Sequence, residues 1–138
     1  ARGASFIQAF GKIGLVPDSG GTWILPRLVG AARARGLALL AEPLPAEKAE
    51  AWGLIWKAVD DDKLMAEAEK LAQHFACAPT FGLAQIKRAL DAAETNGLDA
   101  QLDLERDLQR QAGASPDYAE GVKAFMDKRA PNFSGRRS

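Results

Sequence analysis

The sequence predicts a mostly α-helical fold with one or two short strands. Apolar residues recur at three- and four-residue spacing from Leu64 onward, and helix start and stop signals bound those runs. Only two brief runs, residues 6–10 and 54–59, read as β. No series of alternating strands follows the first, so any sheet it joins needs neighbours that these residues do not supply.

Each element has its own warrant. Residues 6–10, Phe-Ile-Gln-Ala-Phe, are apolar and aromatic, as a short strand would be. Gly11 and Gly14 bracket a turn. A helix is expected over 19–29, kinked or shortened by Pro26, which lacks an N–H and crowds the preceding turn. Gly30 stops it. A second helix covers 31–41, with Leu37, Leu39 and Leu40 on its apolar side and Arg33 and Arg35 on the wet one. Pro45 opens a short helix to Trp52, and Gly53 follows its end. Asp60, Asp61 and Asp62 favour a helix N-terminus by capping and by charge. That helix carries Leu64, Ala68, Leu71 and Phe75 as its stripe and ends near Ala76. Pro79-Thr80 starts the next, with Leu83, Ile86 and Leu90 on one face and a left-handed ending at Asn96-Gly97. The helix over 98–113, marked by Leu102 and Leu108, completes a helical hairpin. Ser115-Pro116-Asp117 supplies a cap, a first-position proline and an acid. Tyr118, Val122, Phe125 and Met126 then share a face, Lys128 and Arg129 complement the helix dipole, and residues 130–138 read as a loose tail.

Bulk properties narrow the function classes. A chain of 138 residues, 47% apolar and 26% charged, has the composition of a soluble globular domain. Eighteen basic residues balance eighteen acidic ones, which gives no electrostatic case for a nucleic-acid or membrane partner. The single cysteine, Cys77, suits a reducing compartment, and His74 has no second His or Cys at ligand spacing, so no metal is expected. The charge run Glu105-Arg106-Asp107 reads as a solvated face or a subunit contact. The chain opens without Met, directly into an apolar stretch, as a piece of a longer protein would.

The stretch Leu15-Val16-Pro17-Asp18-Ser19-Gly20-Gly21-Thr22-Trp23 organises the candidate chemistry. Asp18 stands on a loop that feeds a helix. It can cap that helix, accepting from free first-turn N–H groups, or it can move a proton. Spacing alone favours the cap.

These residues carry a resemblance. Residues 6–30, the segment Ala46-Glu47-Lys48-Ala49-Glu50-Ala51-Trp52-Gly53-Leu54, and Phe125-Met126-Asp127-Lys128-Arg129-Ala130-Pro131-Asn132-Phe133 resemble the C-terminal half of the enoyl-CoA hydratase/isomerase (crotonase) superfamily. Pro17-Asp18-Ser19-Gly20-Gly21-Thr22-Trp23 and Gln101-Leu102-Asp103-Leu104-Glu105-Arg106 are similar to its branch of isomerases acting on ring-epoxidised phenylacetyl-CoA. The resemblance implies the end of an α/β spiral core of the ClpP/crotonase type over residues 1–30, with the Asp18 loop and its helix. Residues 31–138 would be a helical region that builds trimers.

It implies an acyl-CoA substrate, coenzyme A being part of that substrate and no separate cofactor being used. It also implies a cytoplasmic homo-oligomer, trimer or hexamer. Asp18 is then the general base/acid, and two backbone N–H groups in a preceding half hold the thioester oxygen. The second glutamate of the family's hydratases aligns with Phe10, which cannot do acid–base work. The expected reaction is rearrangement of ring-epoxidised phenylacetyl-CoA to an oxepin, or a shift of 3-enoyl-CoA to 2-enoyl-CoA. The alternatives are water addition by a hydratase of the same superfamily, and an inactive helical oligomerisation fragment. By the same resemblance Phe125 packs on the nucleotide end of coenzyme A and Lys128 meets a phosphate. The residues alone favour a core aromatic at Phe125, and read Lys128 evenly as a ligand contact or a dipole-compensating lysine.

Overall fold

A two-residue strand, β1 (Ser5–Phe6), pairs antiparallel with β2 (Leu44–Pro45), Ser5 opposite Pro45 and Phe6 opposite Leu44. The pair cannot lengthen far, because Pro45 has no N–H to donate. The computed structural model describes residues 1–137. The strand expected over 6–10 is thus shifted toward the N-terminus. A 3₁₀ turn, Ala9–Ile13, replaces its second half and ends at Gly14, φ 73°. The chain forms two compact units, Ala1–Ala68 and Glu69–Ser138.

In the first unit, α1 (Gly21–Val29) starts two residues later than expected and runs to Val29 with Pro26 inside it. Pro26 sits far enough into the helix that it removes one bond without ending it. Its own carbonyl accepts from Gly30 N at 3.0 Å. Gly30, φ 83°, then turns the chain into α2 (Ala31–Leu40). The helix α3 (Ala46–Ala51) follows β2. Leu25, Val29, Ala34, Leu37, Leu44 and Ala49 form the buried core, and Trp52, Leu54 and Ile55 pack against it.

Residues 54–59 do not form the expected second strand. Gly53, φ 79°, folds them back so that Leu54 N donates to Ala49 O at 2.9 Å. The strand partner of β1 is the proline-bounded β2, which the sequence did not advertise. Nor does Asp60 cap a helix through its side chain. It accepts from Arg2 Nε at 2.8 Å and Lys63 Nζ at 2.7 Å. These two cations, Lys63 first, lower the Asp60 pKa. A 3₁₀ turn, Asp61–Lys63, leads into α4 (Leu64–Ala76). The helix forms where expected, but its stripe is not covered: Leu64 and Phe75 are exposed.

In the second unit, α5 (Thr80–Ala93) and α6 (Leu98–Gly113) form the expected hairpin. Gln101 Nε2 ties it by donating to Ala89 O at 3.0 Å. Gly97 is extended, φ −75°, and precedes α6 as its N-cap, so the left-handed ending expected at Asn96-Gly97 is absent. On α5 the buried residue is Gln85, while Ile86 and Leu90 are exposed.

The last helix, α7 (Pro116–Met126), has the predicted start. Ser115 Oγ accepts from Tyr118 N at 3.3 Å, with Pro116 at the first position. The tail expected to be loose is strapped to α7 instead. Asp117 Oδ1 accepts from Ser134 N at 2.7 Å and Ser134 Oγ at 2.9 Å, and its Oδ2 accepts from Gly135 N at 2.9 Å. No described helix is long and apolar enough to cross a membrane.

Candidate active site

Pro17 brings the chain to a tight reversal. Ser19 and Gly20 are both left-handed, φ 50° and 79°, and Gly21 N donates to Asp18 O at 2.8 Å. This is the mirror-image β-turn, which needs positive φ at both central positions. Glycine adopts that conformation freely, whereas Ser19 does so at a cost of about 1 kcal/mol. The Gly20 carbonyl then accepts from Trp23 N at 3.0 Å and Ile24 N at 2.9 Å, which opens α1.

The geometry removes the capping reading of Asp18. Gly20, not Asp18, is the N-cap of α1, and no side chain caps it. The Asp18 carboxylate is exposed and has no hydrogen-bond or ion-pair partner among the described residues. Its backbone is fixed by the turn while its side chain stays open. The sequence around it is apolar: Leu15 and Val16 are mostly exposed, and Trp23 and Ile24 nearly half exposed. Arg27 lies over the Trp23 ring, 3.7 Å from its centroid, and donates to Trp23 O at 2.8 Å, which steadies the indole on the first turns of α1. No other acidic side chain precedes Glu42 in the sequence. Phe10 is half-buried in the 3₁₀ turn.

Asp18 belongs to the first unit; Phe125 and Lys128 belong to the second. Phe125 is 82% exposed, so it is not the core aromatic that its place on an amphipathic helix suggested. Lys128 lies beyond α7 rather than in its last turn. It is left-handed, φ 51°, and its N–H donates to Phe125 O at 3.3 Å while Arg129 N donates to Ala124 O at 3.0 Å. That pair of bonds defines a Schellman ending, with lysine where glycine is usual. The Lys128 side chain is exposed and has no ion-pair partner among the described residues.

Sequence reasoning read Asp117 only as the acid of a helix start and missed Glu120. Glu120 accepts from Arg129 Nη1 at 2.7 Å and Nη2 at 2.9 Å, and from Asn132 N at 2.7 Å. Arg129 and then the Asn132 amide pull the Glu120 pKa from its ordinary 4.5 down to about 2. Burial alone would raise Asp117, but the bonds from Ser134 and Gly135 together outweigh it and its pKa falls. Acids three residues apart on a helix near a Pro/Asn/Gly tail are the available signal, and a weak one. No group of acids, His and Cys among the described residues could hold a metal.

Comparison with known proteins gives this arrangement its context. Residues 1–136 match the family Enoyl-CoA hydratase/isomerase, and the chain belongs to that family. Among its relatives is the 1,2-epoxyphenylacetyl-CoA isomerase of Escherichia coli (strain K12), 60% identical over 136 residues that make up 99% of this chain and 52% of the relative. Another, from Rhodobacter capsulatus and named "Probable enoyl-CoA hydratase", is 51% identical over 136 residues, 99% of this chain and 53% of the relative. The crystal structure of an enoyl-CoA hydratase from Polaromonas sp. JS666 superposes with a TM-score of 0.90 at 32% identity, covering 96% of this chain and 52% of that one. The helices described above therefore adopt the crotonase fold. The chain spans about half the length of the relatives it matches.

Proposed function

We propose that this chain supplies the proton-transferring half of an acyl-CoA isomerase, with Asp18 as the general base and acid. The observation that carries the reading is the Asp18 carboxylate: held on a fixed turn, uncapped, exposed, and ringed in sequence by apolar residues. A group that shuttles a proton must reach the substrate and must not be spent on its own backbone. On a 3-enoyl-CoA, an Asp18 oxygen would take a proton from C2 and the chain would become a dienolate. Protonation at C4 by the Asp18 carboxyl, whose proton exchanges with water, gives the 2-enoyl-CoA with no net change in atoms. Donors aimed at the thioester oxygen, outside these residues, would stabilise the intermediate. The 60% identity to an epoxyphenylacetyl-CoA isomerase supports the ring-epoxidised substrate and its oxepin product as the more specific assignment.

Water addition is the second reading, supported by relatives named as hydratases. It calls for a second carboxylate, and the first unit offers none before Glu42. Phe125 and Lys128 are read as contacts for the nucleotide and phosphate of coenzyme A, which is part of the substrate and not a separate cofactor. Homo-oligomerisation, as a trimer or hexamer, is supported by the exposed apolar side chains Ile86, Leu90, Leu98 and Leu102. Replacing Asp18→Asn in a protein that joins this chain to the family's N-terminal half should abolish isomerisation and leave coenzyme A affinity nearly unchanged. Retained turnover would overturn the assignment.

A further inference from the structure

The end of α7 holds a lysine in a conformation that lysine does not favour. Left-handed φ, 51° at Lys128, is strained for any side chain and free of strain only for glycine. A Schellman ending usually avoids that cost with glycine, so something must hold this one in place. The neighbouring contacts do so. Arg129 offers Glu120 a two-pronged pair, at 2.7 and 2.9 Å, and Asn132 N adds a third bond to the same carboxylate at 2.7 Å. Arg129 Nη1 also donates to Ala130 O at 3.0 Å, and Arg129 Nε lies 3.6 Å from Asp127 Oδ2. The residues on either side of Lys128 are thus anchored, while its own ammonium is left without a partner among the described residues. A two-pronged guanidinium–carboxylate pair fixes direction as well as distance.

We infer that Glu120 is a positioning residue: acting through Arg129 and Asn132, it sets the left-handed turn that presents the Lys128 ammonium to an anionic ligand. Glu120 does not touch the ligand itself. The inference rests on the reading of Lys128 as a coenzyme A contact for its functional consequence, but not for its geometry.

Two measurements on the 138-residue chain separate the two. The first needs no ligand. In Glu120→Gln the amides of Lys128 and Arg129 should lose their protection from hydrogen exchange, while those inside α5 and α6 keep theirs. Unchanged protection at Lys128 and Arg129 would overturn the inference. The second is a double-mutant cycle, with coenzyme A as the probe and Phe125–Arg129 amide shifts as the readout. Glu120→Gln and Lys128→Gln should each weaken binding about fivefold, the scale of one exposed charge contact. The double variant should bind no worse than Lys128→Gln alone, because the carboxylate works only through the ammonium. Additive losses would mean that Glu120 merely stabilises the fold, and would overturn the inference. If Lys128→Gln leaves coenzyme A affinity unchanged, the reading of Lys128 as a ligand contact fails. The geometric claim would then stand or fall on the exchange data.

Discussion

Gly135→Ala tests how the tail is held. Gly135 is left-handed, φ 71°, which costs an alanine about 1 kcal/mol. A Cβ built there also overlaps Thr80 Oγ1, the atom that donates to Gly135 O at 3.4 Å. Relieving such an overlap costs about 1–3 kcal/mol when the neighbour is fixed. Thr80 stands at the start of α5, so it cannot easily retreat. The sum, about 2–4 kcal/mol, is an upper bound, since the strap can detach instead of distorting and thereby cap the loss. Residues 134–135 should therefore open first. Hydrogen exchange should show Ser134 and Gly135 amides losing protection in the variant, with urea unfolding reporting a smaller global loss. Adding Thr80→Ala removes the overlap but not the φ penalty, and should restore between about half and three quarters of the loss. Unchanged Ser134 and Gly135 protection in Gly135→Ala would refute the reasoning.

Three further outcomes follow from the tail, the first unit's core and the Asp18 turn. The Glu120 pKa is depressed from 4.5 to about 2 and that of Asp117 is also lowered, so their bonds stabilise the strap above the unfolded value and are lost as pH falls through the folded one. The groups facing Glu120 are Arg129, Lys123 and the like-charged Asp117, with Asp127 beside Arg129. The Asn132 amide signal should stay constant from neutral pH through 4.5 and change with a midpoint near the folded Glu120 value of about 2, the Ser134 amide likewise changing only below the ordinary carboxylate range; a midpoint at or above 4.5 would contradict this. Leu44→Ala empties a side chain only 2% exposed at the centre of the first unit's core, and should cost about 2–5 kcal/mol by urea denaturation. Ser19→Gly should stabilise the first unit by up to about 1 kcal/mol, because it relieves positive φ without removing a hydrogen bond; a loss of stability would show that the serine side chain has a role in the turn.

What could be read beforehand depended on how local the cause was. The start of α7 was legible because Ser115, Pro116 and Tyr118 lie within four residues and one bond joins them. The stop at Gly30 was legible for the same reason. The strap was not, because Asp117 meets Ser134 and Gly135 across seventeen and eighteen residues, and nothing in their spacing announces a meeting. Helical periodicity located α4 and α5 but misjudged their burial. A stripe such as Leu64 to Phe75 says which face is apolar, not what lies against it. At Asp18 the sequence offered two roles. The choice turned on the backbone of Ser19, whose left-handed φ moves the cap to Gly20 and which no serine advertises.

The proton is the most direct test of Asp18. A protein joining this chain to its family's N-terminal half would be incubated with a 3-enoyl-CoA in D₂O, and deuterium at C2 and C4 followed by NMR. The account predicts that the parent protein exchanges these positions and that Asp18→Asn, with coenzyme A still bound, does not. Exchange continuing at the parent rate in Asp18→Asn would contradict it.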